Sequence, residues 1–94
     1  MMFTEEIKHL REKLQMPQRQ LAAALEIDTA TYCKIEKGER RIRREQVILI
    51  AKVLQIDANE LLSLWLADQV VEVIENDKIL ANNVLNIARK IIKI

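Results

Sequence analysis

Glycine and proline are almost absent from this chain, since Gly38 and Pro17 are the only ones among its 94 residues. Average usage of the two residues is about 7% and 5%. An all-β domain needs a turn signal roughly every 8 to 12 residues, and such turns depend largely on these residue types. The shortage of turn residues therefore predicts an all-α fold.

Composition narrows the class of protein further. With 50% hydrophobic and 31% charged residues, the chain has the balance of a single small globular domain rather than a disordered segment. Cys33 and His9 are the only cysteine and histidine, which excludes a disulfide scaffold and a metal site of the usual kinds. No nucleophile and base can be paired, so we expect no enzyme, no cofactor and no metal.

The charged N-terminal residues do not fit a signal peptide, and no uncharged stretch approaches the length of a membrane span. We therefore expect a cytoplasmic protein without a membrane partner.

The spacing of apolar residues and capping signals predicts six helices. Thr4, Asp28 and Asp57 are candidate N-caps, and Gly38 is suited to a left-handed helix end. Asn76 or Asp77 is expected to cap the last helix. The helices are predicted at about residues 4–14, 18–25, 29–36, 44–55 and 57–74, with a last one after residue 77.

Charge is distributed unevenly along the chain. Residues 37–44 carry five basic groups and one acidic group, whereas residues 57–77 carry six acidic groups and no basic one. A concentrated basic segment suits neutralisation of nucleic-acid phosphates. The alternative is a solvated loop whose arginines pair with Glu36, Glu39 and Glu45.

Helices 2 and 3 are short, and only residues 26–28 join them, which favours a steep crossing and a helix-turn-helix. In that motif the exposed face of the second helix enters the major groove of DNA. Helical periodicity places four residues on the exposed face of helix 3, and of these only Lys34 is a strong hydrogen-bond donor to guanine. The predicted base-reading residues are Thr29, Ala30, Cys33 and Lys34. Oxidation of Cys33 could block docking, but there is no second cysteine to resolve it.

From residue 5 to residue 64 the chain resembles the phage-repressor or Cro-like helix-turn-helix proteins, also called XRE-type regulators. The resemblance rests on Gln18, Ala22, Ile27, the exit 35–38 from helix 3, and the stretch 51–54. It implies a lambda-repressor-like five-helix DNA-binding domain over residues 1–64. Here helix 5 is extended and an additional C-terminal helix follows, so that residues 65–94 form a helical extension expected to pack on the same domain.

The resemblance also implies roles for individual residues. Gln18 corresponds to a phosphate-clamping glutamine, and Arg11 and Glu36 match a partly buried ion pair that ties helix 1 to helix 3. The expected phosphate-binding residues are Gln18, Arg19, Thr31, Lys37, Arg40, Arg41, Arg43 and Arg44. Three residues depart from the family pattern: Glu26 replaces a glycine in the turn, Pro17 replaces a Ser or Thr cap, and Ile42 replaces a proline.

The C-terminal extension has more apolar surface than one helical hairpin can hide. Either helix 6 folds back on helices 1 and 5, or the extension forms a homodimer that presents two recognition helices to DNA half-sites. The residues expected at a dimer interface are Leu49, Val53, Trp65, Val70, Val73, Ile74, Leu80, Val84, Ile87 and Ile91.

The sequence thus predicts a bacterial, homodimeric, sequence-specific regulator of transcription, with double-stranded DNA and a second copy as partners. It would be a repressor or a controller of a restriction-modification operon that binds a palindromic operator. The alternative is an antitoxin whose C-terminal helices bind a toxin-like protein while the helix-turn-helix represses its own operon.

Overall fold

A computed structural model describes all 94 residues of the chain, and helices are its only regular secondary structure. Six α-helices and one short 3-10 turn, η1, follow one another without a strand, which confirms the predicted fold class. Their bounds are α1 Met2–Lys13, α2 Gln18–Ala24, α3 Thr29–Glu36, α4 Arg44–Leu54, α5 Ala58–Ile74, η1 Lys78–Leu80 and α6 Ala81–Ile92.

One hydrophobic core holds the first five helices together. Each helix contributes the apolar residues that its periodicity places on one face, because a helix buries one stripe against its neighbours. Tyr32 and Leu61 are among the side chains with no exposed surface. The core comprises Phe3, Ile7, Leu21, Ala22, Leu25, Tyr32, Ile35, Val47, Ile50, Ala51, Leu54, Leu61 and Leu62. No residue after Leu62 is buried, so the core ends before the second half of α5.

Two helix starts differ from the sequence prediction. The predicted cap Thr4 lies inside α1, where its hydroxyl donates to the Met1 carbonyl at 3.0 Å. The carboxylate of Asp68, on α5, instead accepts hydrogen bonds from the amides of Met2 and Phe3 at 3.1 and 2.8 Å. Neither Asn76 nor Asp77 caps the last helix, because η1 intervenes and α6 begins at Ala81 without a side-chain cap.

Left-handed residues end most of the helices, although the chain has only one glycine. Gly38 has a φ of 77° after α3, as its position predicted. The four other helix ends of this kind use non-glycine residues, at Gln15, Glu26, Gln55 and Lys93, with φ between 55° and 66°. An L-residue in this conformation is strained by about 1 to 2 kcal/mol. The turn between α2 and α3 thus keeps a glycine-type backbone with Glu26 in place of glycine.

A buried ion pair joins α1 to the end of α3. Arg11 donates from Nε and Nη2 to the two carboxylate oxygens of Glu36 at 2.7 and 3.1 Å, and from Nη1 to the Met16 carbonyl at 2.9 Å. The two side chains are 12% and 3% exposed. Burial opposes ionisation of Glu36, but the hydrogen bonds that it accepts outweigh this effect and lower its pKa.

The buried hydroxyl of Tyr32 lies near the Glu36 carboxylate. Burial and the neighbouring Glu36 carboxylate raise the pKa of Tyr32 far above its usual value, so the phenol is neutral. The hydroxyl has no partner in hydrogen-bonding geometry.

The C-terminal helix α6 extends away from the five-helix core. Among the other elements, only the adjacent η1 makes more than marginal contact with α6, and no residue of α6 is buried. In the single chain α6 is therefore not folded back on α1 and α5. It is not packed on the five-helix core either, although the sequence analysis expected the extension to pack on the same domain. The molecule is elongated, with extents of 42 × 24 × 22 Å.

Replacing Glu26 by glycine should stabilise the protein by about 1 kcal/mol, because glycine adopts the left-handed conformation without the Cβ clash. Urea unfolding followed by circular dichroism measures the difference. Glu39→Gly is the matched control, because Glu39 is an exposed loop residue without a positive φ and should gain no stability. Equal effects of the two substitutions would contradict the proposed strain.

Glu36→Gln should destabilise the fold by about 3 kcal/mol at neutral pH, since it removes one partner of a buried ion pair. Because folding lowers the pKa of Glu36 from 4.5, its contribution is present above that value and is lost as the pH falls through the folded-state pKa. Urea unfolding between neutral pH and about pH 3 should therefore show a shallower loss of stability in Glu36→Gln than in the wild type. The exposed Glu12→Gln should match the wild type, and parallel curves for Glu36→Gln and the wild type would refute the assignment.

Candidate nucleic-acid interface

The helix-turn-helix comprises α2 and α3, which pack against each other and on the core through Leu21, Ala22, Tyr32 and Ile35. This packing determines which side of α3 faces outward. Thr29, Ala30 and Lys34 are exposed on that side, whereas Cys33 is half-buried. Three of the four predicted base-reading residues are thus accessible, and the fourth lies at the edge of the exposed face.

The start of α3 is held by a local cap. The Asp28 carboxylate accepts a hydrogen bond from the Thr31 amide at 2.6 Å, and hydrogen bonding by the Thr31 side chain and amide lowers the pKa of Asp28. Asp28 therefore remains ionised at neutral pH, at the end of the helix where a negative charge is favourable. Because its amide is occupied, Thr31, a predicted phosphate-binding residue, can offer only its half-buried side chain to DNA.

Gln18, at the first position of α2, is linked to the buried ion pair. Its Nε2 donates to the Glu36 carboxylate at 3.2 Å, and its side chain is half-buried. A side-chain amide has two N–H donors, so this single bond orients the group and leaves the second donor available. Arg19, the next residue, is exposed.

Residues 37–44, named here the basic loop, run from the end of α3 to the start of α4. The loop's five cationic side chains are all on exposed residues: Lys37, Arg40, Arg41, Arg43 and Arg44. The amide of Arg43 donates to the Gln46 side chain at 2.9 Å, which stabilises the first turn of α4 and holds the end of the loop. Neither Glu39 nor Glu45 pairs with an arginine of the loop, in contrast to the solvated-loop alternative.

Two arginines of the basic loop contact α5. Arg41 donates to Glu72 at 2.6 Å, and the guanidinium of Arg44 lies 5.9 Å from the centre of the Trp65 ring. The first pair is well exposed, with side chains 78% and 48% accessible, so it is weak in solvent. These contacts leave Lys37, Arg40 and Arg43 as the loop cations without a partner in the chain.

Sequence reasoning missed the contributions of Asp68 and Glu72 to this region. Both lie on α5, more than 30 residues away from the groups they bind. Periodicity indicates that a residue faces inward or outward, but not which distant backbone amide or side chain it meets. The sequence showed only that residues 57–77 carry an excess of acidic groups, not which groups they contact.

The predicted dimer-interface residues fall into two groups. Trp65 packs against the core, and Val53 is also half-buried there. Ile74 is half-buried without belonging to the core. The remaining residues are exposed on α4, α5, η1 and α6: Leu49, Val70, Val73, Leu80, Val84, Ile87 and Ile91. No helix of the structure is long and apolar enough to cross a membrane.

Comparison with known protein families finds one match. The family model described as helix-turn-helix matches residues 7–61, which is more than half of the chain and covers α2, α3 and the basic loop. No curated protein and no solved structure matches the chain significantly. The matched region contains α2, α3 and α4 completely, the second half of α1 and the first turn of α5. The chain therefore belongs to the XRE-type helix-turn-helix family of DNA-binding transcription regulators.

Proposed function

We propose that this protein is a sequence-specific regulator that binds a palindromic DNA operator as a homodimer in the bacterial cytoplasm. The observation that carries the proposal is the exposed side of α3. Thr29 and Lys34 have no hydrogen-bond partner for their side chains within the chain, and they lie between the start of α2 and the basic loop. This side of α3 is therefore free to meet base edges in a major groove.

The surroundings of α3 suit the DNA backbone. The second N–H of Gln18 and the cations Lys37, Arg40 and Arg43 are available for phosphate oxygens. Because Gln18 bonds to Glu36, the last residue of α3, the start of α2 lies next to the first cation of the basic loop. Phosphate contacts of this kind position a protein on the duplex, whereas base contacts supply specificity.

A homodimer follows from the small number of base-reading groups. Lys34 is the only one of the four with a charged donor, and Ala30 and Thr29 can contribute mainly contacts with thymine methyl groups. One such module is too weak for specific binding at physiological salt. Two copies related by a two-fold axis would read two half-sites about 34 Å apart.

Selection from a randomised duplex pool at about 150 mM salt tests the proposal. A two-fold symmetric motif is the expected result. Salt-sensitive binding without enrichment of any sequence would contradict it, and would favour the antitoxin alternative, in which the specific partner is a toxin-like protein.

Lys34→Ala should change the selected motif as well as the affinity. Loss of the lysine contact to a guanine should cost about 1 to 3 kcal/mol at the bases it reads and relax the preference there. The measurement is a repeat of the selection with the variant. Lys52→Ala, which removes an exposed lysine of α4 outside the basic loop, should return the wild-type motif. An unchanged motif for Lys34→Ala would show that α3 is not placed as proposed.

Arg43→Ala should weaken binding to specific and random duplexes by similar factors. The slope of log affinity against log salt concentration should become shallower by about one unit, as one phosphate contact is lost. Fluorescence anisotropy over a salt series measures both quantities. Arg43 is preferred to Arg41 for this test because Arg41 already pairs with Glu72. A variant with the wild-type slope would remove Arg43 from the phosphate-binding set.

A further inference from the structure

Two apolar faces in the C-terminal third of the chain have nothing covering them in a single copy. The α5 outer face consists of Leu66, Val70, Val71 and Val73, which are 41% to 77% exposed. The α6 apolar face consists of Val84, Leu85, Ile87, Ile91 and Ile92, which are 38% to 75% exposed. The opposite side of α6 is wholly polar, so this helix has a sharp division between an apolar and a polar face.

The chain exposes more surface than a compact monomer of its size, and the excess is large enough for a dimer interface. The chain has 7032 Å² of accessible surface, whereas a compact monomer of 11.0 kDa has about 5,600 Å². Its radius of gyration is 15.2 Å, against about 12.4 Å for a compact domain of this length. The excess surface exceeds the roughly 800 Å² that each partner buries in a stable interface.

Charge indicates which faces meet. Residues 57–77 hold six acidic groups and no basic one, and four of the six remain when Asp68 and Glu72, which bind groups of the same chain, are left out. Residues 78–94 hold four basic groups, Lys78, Arg89, Lys90 and Lys93, and no acidic group. Packing α6 against α6 of a second copy would bring two cationic segments together. Packing α6 against α5 of a second copy brings cationic and anionic segments together, which favours this arrangement.

We infer that the protein dimerises by reciprocal exchange, in which the α6 apolar face of each copy covers the α5 outer face of the other. In the single chain α6 extends away from the core and has no substantial contact with its own α5. The two contacts are equivalent under a two-fold axis, so each copy contributes one α6 apolar face and one α5 outer face to the interface. This inference rests on the proposed homodimer and specifies how it is built.

Directed cross-linking of the full chain tests the arrangement. In a Cys33→Ser background, one preparation carries Val70→Cys and a second, with an affinity tag, carries Ile87→Cys. The two are mixed and treated with a flexible bismaleimide. Both positions are near the middle of the exposed helical segments, so the test does not depend on whether the helices run parallel or antiparallel.

The expected product joins a tagged chain to an untagged chain, with little product joining two Val70→Cys chains or two Ile87→Cys chains. Dominant linkage between two Ile87→Cys chains would overturn the inference in favour of α6 pairing with α6. Dominant linkage between two Val70→Cys chains would overturn it in favour of α5 pairing with α5. No linkage, together with a monomer in sedimentation analysis, would also overturn it.

Sedimentation equilibrium with two α6 variants gives an independent measurement. Ile87→Glu, on the α6 apolar face, should raise the dimer dissociation constant at least about a hundredfold, because both equivalent contacts lose a buried isoleucine. Asn83→Glu, on the polar side of the same helix, is the matched control and should leave a dimer. Equal dissociation constants for the two variants would exclude the α6 apolar face from the interface.

Binding of the α6 apolar face to a partner other than a second copy would give a different experimental result. A monomer that sediments with phosphatidylglycerol vesicles would assign α6 to an anionic lipid surface and overturn the exchange. The DNA selection tests the proposed function independently of the dimer arrangement. An exchanged dimer that selects no DNA motif refutes only the function, and a palindromic motif with α6–α6 linkage refutes only the exchange.

Discussion

The ion pair between Arg11 and Glu36 is the interaction on which the geometry of the DNA-facing surface depends. It joins α1 to the last residue of α3, and the same carboxylate orients Gln18 at the first residue of α2. One buried carboxylate thereby sets the position of α3, the proposed recognition helix, relative to Gln18, the proposed phosphate-binding residue of α2. A buried pair contributes little net stability compared with apolar packing, and its main effect is to specify one arrangement. Here the arrangement specified is the orientation of α2 and α3 to each other and to α1.

The sequence predicted what depends on short-range chemistry. Helix-capping by Asp28 and the left-handed conformation of Gly38 follow from residue type and position, and the structure contains both. The helix bounds within the core came out close to the predicted ones because apolar spacing reports which face is buried. The cap that Asp68 provides for α1 was beyond prediction, because it depends on how α5 lies across the start of α1. The same holds for Arg41, whose partner Glu72 is set by tertiary structure rather than by local sequence.

The scarcity of glycine has a structural counterpart in four non-glycine residues with left-handed backbones. Each stores conformational strain at a helix end, and the core of the first five helices must offset it. The chain is therefore not optimised locally at its turns. Its fold is specified by apolar periodicity and by a small buried polar network, and the turn between α2 and α3 accommodates Glu26 in a left-handed conformation.

The length of α5 determines how far the proposed dimer interface lies from the five-helix core. The helix begins in the core, contacts the basic loop through Trp65 and Glu72, and ends beside the segment that the proposed exchange joins to a second copy. In the proposed dimer, α5 would connect the core of each copy, where it packs on α1 and α4, to the dimer interface. Each residue of an α-helix advances it by about 1.5 Å and rotates it by about 100°. If the proposed dimer forms, insertion of a single residue between Gln69 and Ile74 would rotate each copy's α3 relative to the dimer interface, so the length of α5 in residues would set the half-site spacing.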